Sequence, residues 1–249
     1  MDSKARSRIE ALLDAQSFVE IGALVKSRST DFIREAEREA SDGVICGYGS
    51  ISGKPVYIYS QNRDVLSGSV GEMHGRKIAH LYDMAIKMGA PVVELLDSSG
   101  IRLEEATDAL YALSKLYKKK AQAKGLIPLY SVLYGQAGGG MALLASLSDF
   151  CFLENQEGRL FINAPDAVKG NKDASFSEGK AQEEAGNVDF SGTEEELITE
   201  IRKAFSFLPA NNEDEAYNED VEDNLNRAVD GFFTMPAREA LSTLSDEGE

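Results

Sequence analysis

The chain has 249 residues and 27.0 kDa, with 43% hydrophobic and 27% charged residues, the composition of a globular protein able to bury one good core. Its formal charge is −16, the opposite of the basic field that phosphate-backbone binding requires. No apolar run approaches about 18 residues, so no membrane-crossing helix is expected. The N-terminus, MDSKARSRIEALLDAQSF, lacks the apolar core of a secretory signal.

In chain order, Ser3 is a suitable N-cap for a first helix over 4–16, with Ile9, Leu12 and Leu13 at helical spacing. A polar loop runs to Asp42. GVICGYGSI and PVYIYS flank Ser52-Gly53-Lys54 and predict a β-hairpin. From 68 to 88 the pattern is helical, through Ile78, Leu81, Ala85 and Met88, and Gly89 ends it. PVVELLD is a short apolar run with the look of a buried parallel strand. A helix over 104–124 follows, stopped by Gly125. IPLYSVLY predicts a strand, GQAGGG a turn, MALLASL a helix, and DFCFLE and RLFIN two more strands. Such alternation argues for βαβ units, an α/β architecture. After Pro165 the chain reads as a polar loop to Gly192. Thr193 and Glu196 then have capping-box spacing for a last helix ending near Phe207. Residues 1–210 are expected to form the domain, and 211–249 an acidic, linker-like extension, with Glu213–Asp223 solvated.

Cys46 and Cys151 each sit in an apolar, β-like segment and read as buried, reduced thiols of a cytoplasmic protein. His74 and His80, with no cysteine pairs, make no zinc pattern. Three glycine- or serine-rich turns lie between strand and helix. The first is Ser67-Gly68-Ser69-Val70-Gly71, followed by His74, Arg76 and Lys77. The second is Asp97-Ser98-Ser99-Gly100-Ile101-Arg102, and the third is Gly135-Gln136-Ala137-Gly138-Gly139-Gly140. Glycines there admit a ligand to the backbone, and free N–H groups at a helix start stabilise an anion. The same residues also suit tight helix–strand packing. The third turn is neither a Walker loop nor a dinucleotide fingerprint. No Ser-His-Asp or Cys-His constellation appears, which points to chemistry run by backbone donors.

These segments, in this order, resemble the carboxyltransferase family of biotin-dependent acyl-CoA carboxylases and decarboxylases. The likeness runs through RSRIEALLDAQSFVEIG, DGVICGYGSISGKPVYIYSQ, SGSVGEMHGRKI, DSSGIRLEEATDAL, GQAGGGMALLASLSDFCFLE, RLFINAPDAVKG and EEELITEIRKAFSFLPANN. It implies a crotonase-like (ClpP/crotonase) ββα superhelix. It covers the N-terminal half of the two-domain family enzymes, so a separate chain is expected to supply the C-terminal half. The four-cysteine zinc ribbon of one bacterial subtype is absent.

By the same resemblance, Gly139 and Gly140 are the oxyanion-stabilising pair, facing either the acyl-thioester oxygen or the biotin ureido oxygen. Arg76 and Lys77, at a helix start in an otherwise acidic chain, are expected to bind the coenzyme phosphates, and Gly68, Gly100, Arg102 and Gly138 are the further expected cofactor-binding residues. The implied cofactor is biotin on a partner carrier protein, and the substrate a coenzyme A thioester. Trimer-based assembly is implied, with no nucleic acid and no direct membrane insertion. The chain departs from the family at Ser98-Ser99-Gly100-Ile101-Arg102, where Gly-Gly-Gly-Ala-Arg is common. It departs again at Ala164, Ala181-Gln182 and Asp189. It also resembles the malonate decarboxylase beta subunit, which acts on a carrier-protein malonyl thioester. A non-catalytic scaffold subunit is the third reading.

Overall fold

A computed structural model describes residues 3–32, 41–164, 167, 173–214 and 231–245. Residues 1–214 form one compact unit and 215–249 a second. In the first, helix α1 (Lys4–Leu12) is followed by strands β1 (Val19–Ile21), β2 (Val44–Ile51) and β3 (Lys54–Gln61). Then come α2 (Glu72–Met88), β4 (Val92–Leu96), α3 (Ala106–Ala123), β5 (Leu129–Leu133), β6 (Gln136–Gly138) and α4 (Gly140–Ser146). Strands β7 (Phe150–Glu154) and β8 (Arg159–Phe161), helix α5 (Gly179–Glu184), β9 (Phe190–Gly192) and α6 (Glu194–Phe207) complete it. In the second unit, α7 spans Ala237–Leu244.

The main sheet has the order β1-β2-β3-β4-β5-β7-β9, and β6 pairs with β8 in a separate two-stranded sheet. The β1–β2–β3 end is antiparallel and the rest parallel. Ser52 and Gly53 both have positive φ, 51° and 76°, which suits the two-residue turn between right-twisted strands. Side-chain alternation along the central strands feeds two cores. Val92, Leu96, Leu129 and Leu133 face the α2, α3 and α4 side. Val93, Leu95, Tyr130 and Val132 face Ile9 and Leu12 of α1 and Leu197 and Ile201 of α6. Parallel strands covered on both faces explain why the sequence shows continuous apolar runs there.

That alternation also turns Glu94 and Ser131 toward α3. Lys120 Nζ bonds Glu94 Oε2, and lies 3.1 Å from Ser131 Oγ. Tyr59 and Tyr82 donate to Glu94 Oε1 at 2.9 and 2.5 Å. Every member of this network is buried, and burial lowers the Lys120 pKa. Fully satisfied, such a network rigidifies a core.

The elements differ from the sequence expectation in several places. Helix α1 stops at Leu12 because Asp14 turns back, accepting from Gly53 N, Ser52 N and Ser50 Oγ at 2.8–3.0 Å. Strand β1 lies in the stretch expected to be loop. The turn before α2 is a separate 3-10 segment, Leu66–Gly68, so α2 begins at Glu72. The expected loop up to Gly192 holds α5 and β9, each too short to show periodicity. The capping box at Thr193 is present, with Glu196 N donating to Thr193 Oγ1 and Thr193 N to Glu196 Oε2. Most of the acidic stretch 213–223 lies outside the described residues.

Candidate functional site

The three turns leave the carboxyl ends of adjacent strands β3, β4 and β5, the edge where parallel sheets gather ligands. The first two are joined by backbone bonds. Val70 N donates to Gly100 O at 2.8 Å, Arg102 N to Val70 O at 3.0 Å, and Ser99 N to Ser67 O at 3.0 Å. The second meets the third through Tyr134 N, which donates to Leu96 O at 2.9 Å. A Cβ on Gly135 would come within 2.2 Å of Asp97 Oδ1.

In the third turn each glycine has its own cause. A Cβ on Gly138 would strike the Phe161 ring at 2.5 Å, and one on Gly140 would meet Tyr117 Oη at 2.7 Å. Gly139 has open space but adopts φ 54° and ψ −116°, a region L-residues rarely enter. Its N–H is already used, donating to Phe161 O at 3.1 Å. The Gly140 N–H, at the head of α4, has no acceptor among the described residues. Tyr117 Oη donates to Gly140 O at 2.7 Å and fixes that peptide. The two glycines of the expected pair therefore differ in the structure. Gly139 makes the turn, and Gly140 holds the unspent amide.

The coenzyme-binding expectations divide. Arg76 is exposed at the start of α2 and pairs with Glu72 at 2.6 Å. Lys77 turns inward, donating to Val44 O at 2.6 Å and Asp42 Oδ1 at 3.2 Å. Arg102 is fully buried and bonds Glu105 Oε1, Asp42 O and Ser69 O at 3.0, 2.9 and 2.6 Å. Both cations are buried and bonded within the scaffold beneath the turns. Gly68 packs against the Asp97 carbonyl, with no room for a Cβ. Gly100 has open space and a φ of 102°, and its N–H donates to Ser98 Oγ at 3.1 Å.

Sequence reasoning missed Asp42 and Glu105. Glu105 Oε2 accepts from Glu72 N at 2.6 Å and so caps α2 from 33 residues away. The Asp42 carboxyl is raised above its usual range by burial. His74 is buried too. Its Nδ1 donates to Asp42 O and its Nε2 faces Gln61 Nε2, at 3.1 and 3.3 Å. Burial, with Arg102 nearby, lowers its pKa to about 3. It is a neutral strut, not a poised base. His80 is exposed on α2. Burial raises both cysteine thiols, Cys151 to about 12. Among the described residues, no cluster of metal-ligating side chains exists and no helix is long and apolar enough to cross a membrane.

Residues 3–238 match the model of the carboxyl transferase domain. The chain is 38% identical over 215 residues to the propionyl-CoA carboxylase beta chain of Saccharopolyspora erythraea, covering 84% of this chain and 39% of that protein. Across the curated relatives it matches, the chain spans about half of their length or less. It superposes on transcarboxylase 12S, a hexamer solved with methylmalonyl-coenzyme A bound, with a TM-score of 0.83 and 30% identity. That match covers 88% of this chain and 44% of the other. The malonate decarboxylase hetero-tetramer of Pseudomonas matches with a TM-score of 0.70 and 28% identity, over 83% of both chains. The fold is the crotonase-like α/β fold. With its three turns set on that fold, the chain belongs to the carboxyl transferase domain family.

Proposed function

We propose that this chain is the acyl-thioester-binding half of a biotin-dependent carboxyltransferase, its site completed by a second carboxyltransferase half. The observation that carries this is the likeness to transcarboxylase 12S, with methylmalonyl-coenzyme A in that protein. Losing a carboxyl group, or an α-proton, leaves negative charge on the thioester oxygen. A fixed amide aimed at that charge is worth ~2.7–4 kcal/mol in a dry site. Gly140 N–H is the donor this chain offers, with Gly139 shaping the turn and Tyr117 holding the peptide. His74 is fully buried and hydrogen-bonded to Asp42 O, so it is not placed to act as the base, which in this reading comes from outside the chain. Biotin on a carrier protein supplies the carboxyl acceptor or donor and that base when bound. Arg76, exposed beside the first turn and paired with Glu72, is in this reading a cation for the coenzyme phosphates.

Around the third turn, Leu143 and Ile162 are exposed, at 49% and 66%, as are Leu103 just before α3 and Leu110 and Tyr111 in its first turns. A second half docked there would cover them and exclude water, in a trimer-based cytoplasmic complex. The matched length of the malonate decarboxylase chain favours a second reading, a carrier-protein malonyl thioester as substrate. Purification of the tagged chain from its source cells, followed by a streptavidin blot, separates the two. A biotinylated partner is expected. An acyl carrier protein in its place would support the second reading and overturn the first.

A further inference from the structure

The first helix belongs to none of the three turns, yet one of its side chains reaches two of them. Arg8 of α1 is 5% exposed. Its Nη1 donates to Asp97 Oδ2 at 2.9 Å, across 89 residues of sequence. Its guanidinium lies over the Tyr134 ring, 4.1 Å from the centroid. Asp97 opens the second turn, and Tyr134 directly precedes Gly135, where the third begins. The remaining edge of the guanidinium meets Glu194 Oε1, with Nη2 at 3.1 Å, at the start of α6. A planar fork can serve two carboxylates and a ring at once, which an ammonium cannot.

Asp97 is where the three turns touch. Its carbonyl oxygen stands 2.2 Å from the place a Cβ of Gly68 would take, and its Oδ1 the same distance from a Cβ of Gly135. Its N–H donates to Gln61 Oε1 at 3.1 Å, at the end of β3. Asp97 Oδ1 is buried with no hydrogen-bond partner among the described residues, since Arg63 Nη1 at 3.6 Å is beyond hydrogen-bond length. A buried carboxylate oxygen left unbonded is costly, so the carboxyl stays against Gly135 because Arg8 holds its other oxygen. The far end of the third turn is fixed separately, by Gly139 N–H on Phe161 O and by Tyr117 on Gly140 O. At the near end, Tyr134 N bonds Leu96 O and Arg159 N bonds Gly135 O, and Arg8 holds the side chains on which the turn rests.

We propose that Arg8 is a positioning residue for the Gly140 amide. By holding Asp97 against Gly135 and the Tyr134 ring against its own plane, it sets where the third turn starts and so where the N–H at the head of α4 points. Its part in carboxyl transfer rests on the proposed function, and its hold on the turn does not. A displacement of about 1 Å passed to a reacting group from outside the site can cost about 100-fold in rate. The bond to Glu194 reaches away from the turns and ties α1 to α6.

The experiment pairs amide NMR of the full chain with turnover of the complex purified through it, for Arg8→Lys, Asp97→Asn and Glu194→Gln. Lysine keeps a charge beside Asp97 but loses the fork and the flat face. The Gly135 and Gly140 amide resonances are expected to move in Arg8→Lys and, less far, in Asp97→Asn, and to stay in place in Glu194→Gln. In the complex, Arg8→Lys should lower kcat about ten- to 100-fold. KM for methylmalonyl-CoA should stay within about twofold, the split of a group that acts in the transition state. Added to Gly140→Ala, Arg8→Lys should cost less than about threefold more, because the amide it serves is already displaced. Unmoved Gly135 and Gly140 amides in both Arg8→Lys and Asp97→Asn, equal movement in Glu194→Gln, or a full second loss on the Gly140→Ala background would overturn the proposal. If the wild-type complex transfers no carboxyl, the proposed function fails, and the amide resonances still decide whether Arg8 holds the turn.

Discussion

A methyl group at Gly140 has nowhere to go, because Tyr117 Oη already occupies the place 2.7 Å from where it would be. Gly140→Ala should displace that hydroxyl and tilt the free amide. Loss of one such donor predicts a fall in turnover of about 100-fold or more, with the circular dichroism spectrum unchanged. Adding Tyr117→Phe should restore part of the rate by relieving the contact. Wild-type turnover in folded Gly140→Ala would remove the amide from the chemistry. Ala106 is another residue-scale case. It sits at φ 45° and ψ −120°, directly after Glu105. Glycine carries no Cβ penalty there, so Ala106→Gly should raise stability by about 1 kcal/mol, read from the urea midpoint. At His74 the folded pKa is about 3, lowered by burial, against about 6.5 in the unfolded chain. The unfolded state therefore takes up the proton first, and the stability contributed by neutral His74 is lost as pH falls from about 6.5 toward 3. His74→Gln should lose less stability than wild type between pH 7 and pH 4. Parallel pH profiles would remove His74 from that dependence.

At the scale of elements, the strands and long helices were legible because their periodicity is strong. PVVELLD and IPLYSVLY became β4 and β5, and the Ser52-Gly53 hairpin formed in the expected place. Short pieces were not legible. Strand β1 has three residues and owes its place to β2, with Val19 opposite Tyr48. Glu94 was hidden inside an apolar run because its partners lie 26 and 37 residues away, at Lys120 and Ser131. The motifs located all three turns but not the direction of their side chains. Lys77 looked like a surface cation until Asp42, 35 residues earlier, drew it inside. The helix start at Thr193 was readable, since a capping box is local. Thr193→Ala should cost about 1 kcal/mol, measurable as a lower unfolding midpoint, and an unchanged midpoint would show α6 to be held by its apolar face alone.

For the whole molecule, the chain matches 39% to 51% of the length of its curated relatives, and its glycine turn opens beside exposed apolar side chains. Water in such an open site screens the donor at Gly140. An isolated chain is therefore expected to be inactive, and the assembled complex active. The deciding measurement is the transfer of labelled carboxyl from methylmalonyl-CoA to biotin, made on the complex purified through this chain and on the chain alone, with each mass fixed by light scattering. Transfer by the complex and none by the isolated chain is the predicted result. Full transfer by the isolated chain as a monomer, or no transfer by the complex, would contradict it.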